Sequence, residues 1–239
     1  MRRLLILMSL SLFSSLSLMG QGIADSSKKD QISSEKQVQK GNLFSAISFA
    51  NTPLSQRWAS LRQEAERLFP ALKMKSVSDL HVTIIYIGKD WNIDNLDLLR
   101  KAMAVHLTDT IHLTPEIASL GRNNQVIAVE LKGVPEAFQA QIVAVKAKLN
   151  ADGLKKPDFY DASFRAHVTL AESKENPPTE QQKRELKAFH EWIEPHLDLP
   201  SLHLLLDPSM PIRLMLAGAT RPTPLPEYIT VESFLENSR

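Results

Sequence analysis

The chain has 239 residues, 28 Lys and Arg against 27 Asp and Glu, a formal net charge of +1, 43% apolar residues and no cysteine. That is enough chain and apolar content for a real core. The near-neutral balance argues against a grip on long nucleic acid, which calls for a basic excess or stripe, and the missing cysteine excludes disulfides and lipid attachment at a lipobox. Met1-Arg2-Arg3, an apolar serine-containing run to Leu18-Met19, and the small residues around Gly22-Ile23-Ala24 read as a signal peptide over residues 1–24. The expected location is therefore outside the cytoplasm, periplasmic or secreted. Loss of Arg2 and Arg3 with no acidic residue takes the formal charge from +1 to −1. Residues 25–41 are polar and form a flexible leader, and residues 42–239 form a single domain whose last part, 221–239, is an extra tail.

Within the domain, Leu43 to Phe49 reads as a strand ended by Asn51-Thr52-Pro53. Leu54, Trp58, Leu61, Ala65 and Leu68 recur at helical spacing up to Pro70. A strand over Leu80–Ile87 follows, then a helix from about Asp94 to Leu107, short β segments at Ile111–Leu113 and Ile117–Gly121, and a turn at Asn123-Asn124 into an alternating strand Val126–Leu131. Pro135 opens a helix through Leu149, closed by the turn Asp152-Gly153-Leu154. The strand Arg165–Ala171 comes next. Thr179 with Gln182 three residues on is a capping box for a helix to Trp192, which Pro195 is expected to interrupt. Ser201–Leu206 and Ile212–Leu216 read as late strands, and Tyr228–Val231 as a further edge strand or a partner-binding segment.

Two of these strands carry the same tripeptide, His81-Val82-Thr83 and His167-Val168-Thr169, 86 residues apart. Side chains two apart in a strand share a face, so each histidine projects with its threonine while the valine faces a core. Two such pairs suit phosphodiester chemistry. One imidazole takes a proton from the attacking oxygen, the other donates one to the leaving oxygen, and the hydroxyls donate to the phosphate oxygens. The repeated order of strand, helix, motif strand and helix reads as a degenerate internal duplication. His190 and His196 imitate a helical zinc motif, but six residues apart they do not share a helix face. His106, His112 and His203 have no partner at ligand spacing, so no metal or other cofactor is expected.

The tetrads Leu80-His81-Val82-Thr83, closing on Ile87-Gly88, and His167-Val168-Thr169-Leu170 resemble the defining motifs of the 2H phosphoesterase superfamily, the 2′-5′ RNA ligase-like and cyclic phosphodiesterase proteins. The resemblance covers roughly residues 43 to 206. It implies an α+β fold with two pseudo-symmetric lobes, antiparallel sheets flanking a central groove and helices on the outside. It also implies a metal-independent phosphodiesterase that hydrolyses a small 2′,3′-cyclic phosphate or a 2′-5′-linked nucleotide, with His81 and His167 as the acid/base pair. Thr83 and Thr169 would hold the phosphate. Arg165, two before His167, is a further phosphate or ribose candidate, and Tyr160 and Trp91 are candidates for stacking a base. The chain departs from the family around the second motif. Ala166 stands where a proline is common, and Ala171-Glu172 stand where a basic residue is common. The expected partner is thus a small nucleotide met by a monomer that does not remain in the membrane. The competing reading is a non-catalytic exported protein that binds a nucleotide or a partner on the same fold.

Overall fold

The computed structural model describes residues 41–89, 91, 95–102, 105–217 and 228–230, all within a unit that spans Val38–Arg239. The expected signal peptide and the expected leader up to residue 40, like most of the tail, lie outside the described residues. In order, the elements are β1 (Asn42–Ser48), α1 (Pro53–Leu68), β2 (Leu72–Met74), β3 (His81–Gly88), α2 (Leu96–Ala102), β4 (Ile111–Leu120), β5 (Val126–Lys132), α3 (Glu136–Ala151), β6 (His167–Ser173), α4 (Glu180–Leu197), β7 (Leu204–Leu206), β8 (Ile212–Ala217) and β9 (Tyr228–Thr230).

The fold is α+β. Among the described residues, nine strands run β7-β4-β5-β6-β3-β1-β8-β9, with β2 also on β6, and every pairing is antiparallel. Two matched halves are visible in that order: β3-β1-β8-β9 and β6-β5-β4-β7. They meet where Val82 faces Val168, so the two expected sheets are one continuous path joined at a narrow seam.

Two devices set the helices. Thr52 and Thr179 cap α1 and α4, each accepting from the backbone N–H of the residue three on, and that residue's side chain accepts the cap N–H in return. The buried faces Leu54, Trp58, Leu61 and Ala65 of α1 and Leu186, Phe189, Ile193 and Leu197 of α4 then bury apolar area, the main favourable term in folding. Phe189 sits between Trp58 and Phe69 with ring centroids 6.2 and 5.4 Å away, both edge-on. α4 lies against β4, β5 and β6, and α3 against β3 and α2.

Several elements differ from the sequence expectation. Ile111–Leu120 is one strand, because Pro115 lies where β4 has left β7 and its missing N–H breaks no pairing with that neighbour. The α4 helix runs through Pro195 to Leu197 rather than stopping before it. There Arg57 donates to the His196 carbonyl and His196 Nδ1–H to the Trp192 carbonyl, bonds that hold the last turn from its side chains. β2 has no periodic signal at three residues and is visible only through its pairing with β6. The tail strand Tyr228–Thr230 does pair, as an edge strand on β8.

Candidate active site

Antiparallel pairing at Val82 and Val168 dictates what surrounds the seam. Both valines are completely buried, and the residues on either side of them turn to the opposite face. His81 therefore comes across from Thr169, and His167 across from Thr83. The histidines lie on a diagonal, about 7–8 Å apart between Cα atoms by sheet geometry. All four side chains line a groove made of two adjoining cavities. A cavity of about 200 Å³ has His81 with Asn42, Phe44, Lys75, Asp79 and Glu172. One of about 530 Å³ has His167 with Ile84, Leu120, Val126, Tyr160 and Phe164. Thr83, Thr169 and Tyr86 line both.

The two imidazoles are held alike. His81 Nδ1 is 2.7 Å from the Asp79 carbonyl, and His167 Nδ1 is 2.9 Å from the Arg165 carbonyl, in each case the residue two before. A carbonyl only accepts, so each Nδ1 carries its hydrogen and Nε2 is the nitrogen that gains or loses a proton. Burial pushes both histidines below the ordinary imidazole value, and the carbonyl bonds oppose it. At His81 the charges of Lys75 and His167 push further down, while at His167 the Arg165 charge does so and the Glu130 charge opposes it.

A matched irregularity shapes the rest of the groove. Between Thr83 and Ile85 the register of β3 on β1 slips by one residue, and between Thr169 and Ala171 the register of β6 on β5 does the same. Ile84 and Leu170, each three after a histidine, are the extra residues of two β-bulges. A bulge reverses the alternation beyond it. Strict period two would send Tyr86 and Glu172, each five after its histidine, to the face of the valines. The bulges instead turn both into the groove.

The other expected site residues are placed as follows. Arg165 borders the wider cavity but lies just before β6 and outside it. Its guanidinium forks onto the buried carboxylate of Glu130, the residue opposite His167 on β5. That bond and a second from Lys132 hold the Glu130 carboxyl down at about 2. Tyr160 is 60% exposed at the wider cavity, edge-on to Phe159. Its loop is anchored from below. Lys146 donates to the carbonyls of Tyr160 and Ser163, and the buried Lys155 to Asp158 and Asp161. Trp91 is placed elsewhere. It packs against the core and donates its indole N–H to the Gly41 carbonyl. His190 bonds Ser119 and His196 stacks on Trp192, so those two histidines do not meet. His112 and His203 share a surface cavity at the β4 end, away from the groove. Sequence reasoning passed over Lys75, Glu130, Lys146 and Lys155. Glu130 and Lys146 carried a signal, as charged residues inside apolar runs, whereas Lys75 and Lys155, each with another lysine close by in polar sequence, carried none.

No family model and no curated protein matches the chain. Among solved structures, it is similar to Escherichia coli LigT complexed with 3′-AMP, at 14% identity and a TM-score of 0.47 over 81% of this chain and 95% of that one. It is similar to TT0787 of Thermus thermophilus, at 16% identity and 0.46 over 80% and 94%. A structure described as a phosphoesterase stands at 14% identity and 0.45 over 80% and 95%.

Proposed function

We propose that the groove is the active centre of a 2H-type phosphodiesterase that hydrolyses a small 2′,3′-cyclic phosphate or a 2′-5′-linked nucleotide outside the cytoplasm. The observation that carries this reading is the matched pair of Nδ1–H to carbonyl bonds, which gives two histidines across one seam the same tautomer, each beside a threonine hydroxyl. A phosphate seated over Thr83 and Thr169 would have one Nε2 on either side of it. Catalysis then needs one imidazole neutral and one protonated.

The two cavities differ in size and character, and that difference supports one direction for the reaction. A nucleoside fits the wider, apolar-walled cavity, with its base against Tyr160. The ribose oxygen that leaves phosphorus is then on the His167 side, and water enters on the His81 side. His81 Nε2 takes a proton from water as the new O–P bond forms. The P–O bond to the ribose oxygen breaks as His167 Nε2–H protonates that oxygen, and the proton balance is restored through solvent. The threonine hydroxyls donate to the non-bridging oxygens as charge builds on them.

The purified protein offered a panel of 2′,3′-cyclic nucleotides and 2′-5′ dinucleotides tests the reading. Turnover that is lost in His81→Ala and in His167→Ala supports it. Tight binding without turnover on any member would instead mark a nucleotide-binding protein on this fold. The export part of the proposal rests on the sequence of residues 1–24. N-terminal sequencing of protein from the cell envelope, expected to begin near Asp25, tests it separately.

A further inference from the structure

Lys75 is 3% exposed, yet it borders the smaller cavity beside His81, Thr83 and Thr169. Its backbone is fixed on both sides. The Lys75 N–H donates to the carbonyl of the bulge residue Leu170 at 2.8 Å, and its carbonyl accepts the Trp58 indole N–H at 2.9 Å. The ammonium reaches Glu172 Oε1 at 2.8 Å, and Lys73 stands 3.5 Å from the same oxygen. Glu172 is in the groove only because of the bulge at Leu170.

A bare carboxylate at that place would repel a phosphodiester seated over the threonines. Two ammoniums meet that carboxylate, Lys75 and Lys73, so the three groups together carry a net positive charge, and on the buried Lys75 it sits at one point on a nitrogen with three rotatable donors. We propose that Lys75, delivered by the end of β2 and oriented by Glu172, is the cation that binds the substrate's phosphate in this groove. The proposal rests on the phosphodiesterase reading above for its substrate, but the phosphate site itself does not depend on turnover. It makes Lys75 a binding residue and Glu172 a positioning residue.

The test is calorimetric binding of inorganic phosphate to the full protein, with cyclic nucleotide turnover measured beside it. Lys75→Met and the charge-balanced Lys75→Met/Glu172→Gln are each expected to bind phosphate on the order of 10- to 100-fold more weakly than the parent, as for a lost hydrogen bond to a charged group. Lys75→Arg should recover most of that affinity. Glu172→Gln alone keeps the lysine and removes the competing carboxylate, so it should bind phosphate more tightly while lowering kcat/KM through loss of orientation. This variant keeps the question open to experiment even if the methionine variants fold poorly. Unchanged phosphate affinity in the double variant, weaker or unchanged affinity in Glu172→Gln, or a parent that takes no phosphate would each overturn the assignment. Phosphate binding that follows these expectations without turnover of any nucleotide leaves Lys75 in place and removes the phosphodiesterase reading. Turnover with Lys75-independent phosphate binding does the reverse.

Discussion

Val82 and Val168 are Cα partners at the junction of the two half-sheets, and neither exposes any surface. Because they point away from the groove, the histidine before and the threonine after each valine point into it. One buried pair thereby sets the spacing of four polar side chains whose owners are 86 residues apart.

The first expectation concerns the pair of histidines. His81→Ala and His167→Ala should each lower kcat on the order of 10² to 10⁴, the usual contribution of a general acid or base. The double variant should be little worse than the worse single one, because groups that act as a unit are strongly non-additive. Single-turnover rates on a 2′,3′-cyclic nucleotide measure this, and parental turnover in either single variant would sink the mechanism.

The roles of the two can be separated by the leaving group. An aryl phosphodiester whose phenolate departs without a proton has no need of an acid. The loss in His167→Ala should shrink to about tenfold on that substrate, while the loss in His81→Ala should remain on the order of 10² or more. The opposite pattern would exchange the two assignments and the direction in which the nucleoside binds.

Both imidazoles are pushed down by burial first, so the bell of kcat/KM for the free protein should lie on the acid side of the ordinary value of 6.5. The two limbs belong to the coupled pair. The bell of kcat should lie at higher pH, since a bound phosphate favours the imidazolium. For stability the sign is the reverse of that for a salt-bridged histidine. With folded values below 6.5, the native state binds fewer protons than the unfolded chain in that window. Stability should be full above 6.5 and fall as the pH drops toward the lowered folded values. Urea melts at several pH values check this, and the dependence should flatten when both histidines are replaced by glutamine.

Glu130→Gln should cost about 1.5–3 kcal/mol at neutral pH, as hydrogen bonds to a charged group are lost. Its carboxyl is held down from 4.5 to about 2, by the Arg165 bond above all, so its contribution is present above 4.5 and disappears as the pH falls toward 2. Parent and variant should therefore converge in denaturant stability over that acid window. A constant difference across it would show that Glu130 stabilises the fold by packing and not by its charge.

Lys155→Met removes the ammonium that holds Asp158 and Asp161 and so loosens the loop that presents Tyr160. The expected result is a KM raised about tenfold with kcat changed little, the sign of lost uniform binding. Tyr160→Ala should behave the same way if a base stacks there, at about 1–3 kcal/mol per stacked base. A selective fall in kcat would place the loop in the chemistry instead.

Local pattern alone was enough to find the motif strands, the shared face of each histidine with its threonine, the Thr179–Gln182 cap and the main succession of strands and helices, because pleat, helix period and capping depend on residues a few positions apart. The same local rule, applied to Tyr86 and Glu172, points both to the wrong face. Whether a strand keeps its alternation depends on the register it makes with its neighbour, and at Ile84 and Leu170 that register slips. Arg165 looked available to a phosphate, but Glu130, 35 residues earlier, meets its guanidinium. Lys75 drew no attention in the sequence, and it meets Glu172 across 97 residues of chain. Charges find their partners through space, and only strand pairing brings these together. The two histidine–threonine pairs were thus legible in the sequence, while their electrostatic surroundings were decided by the tertiary fold.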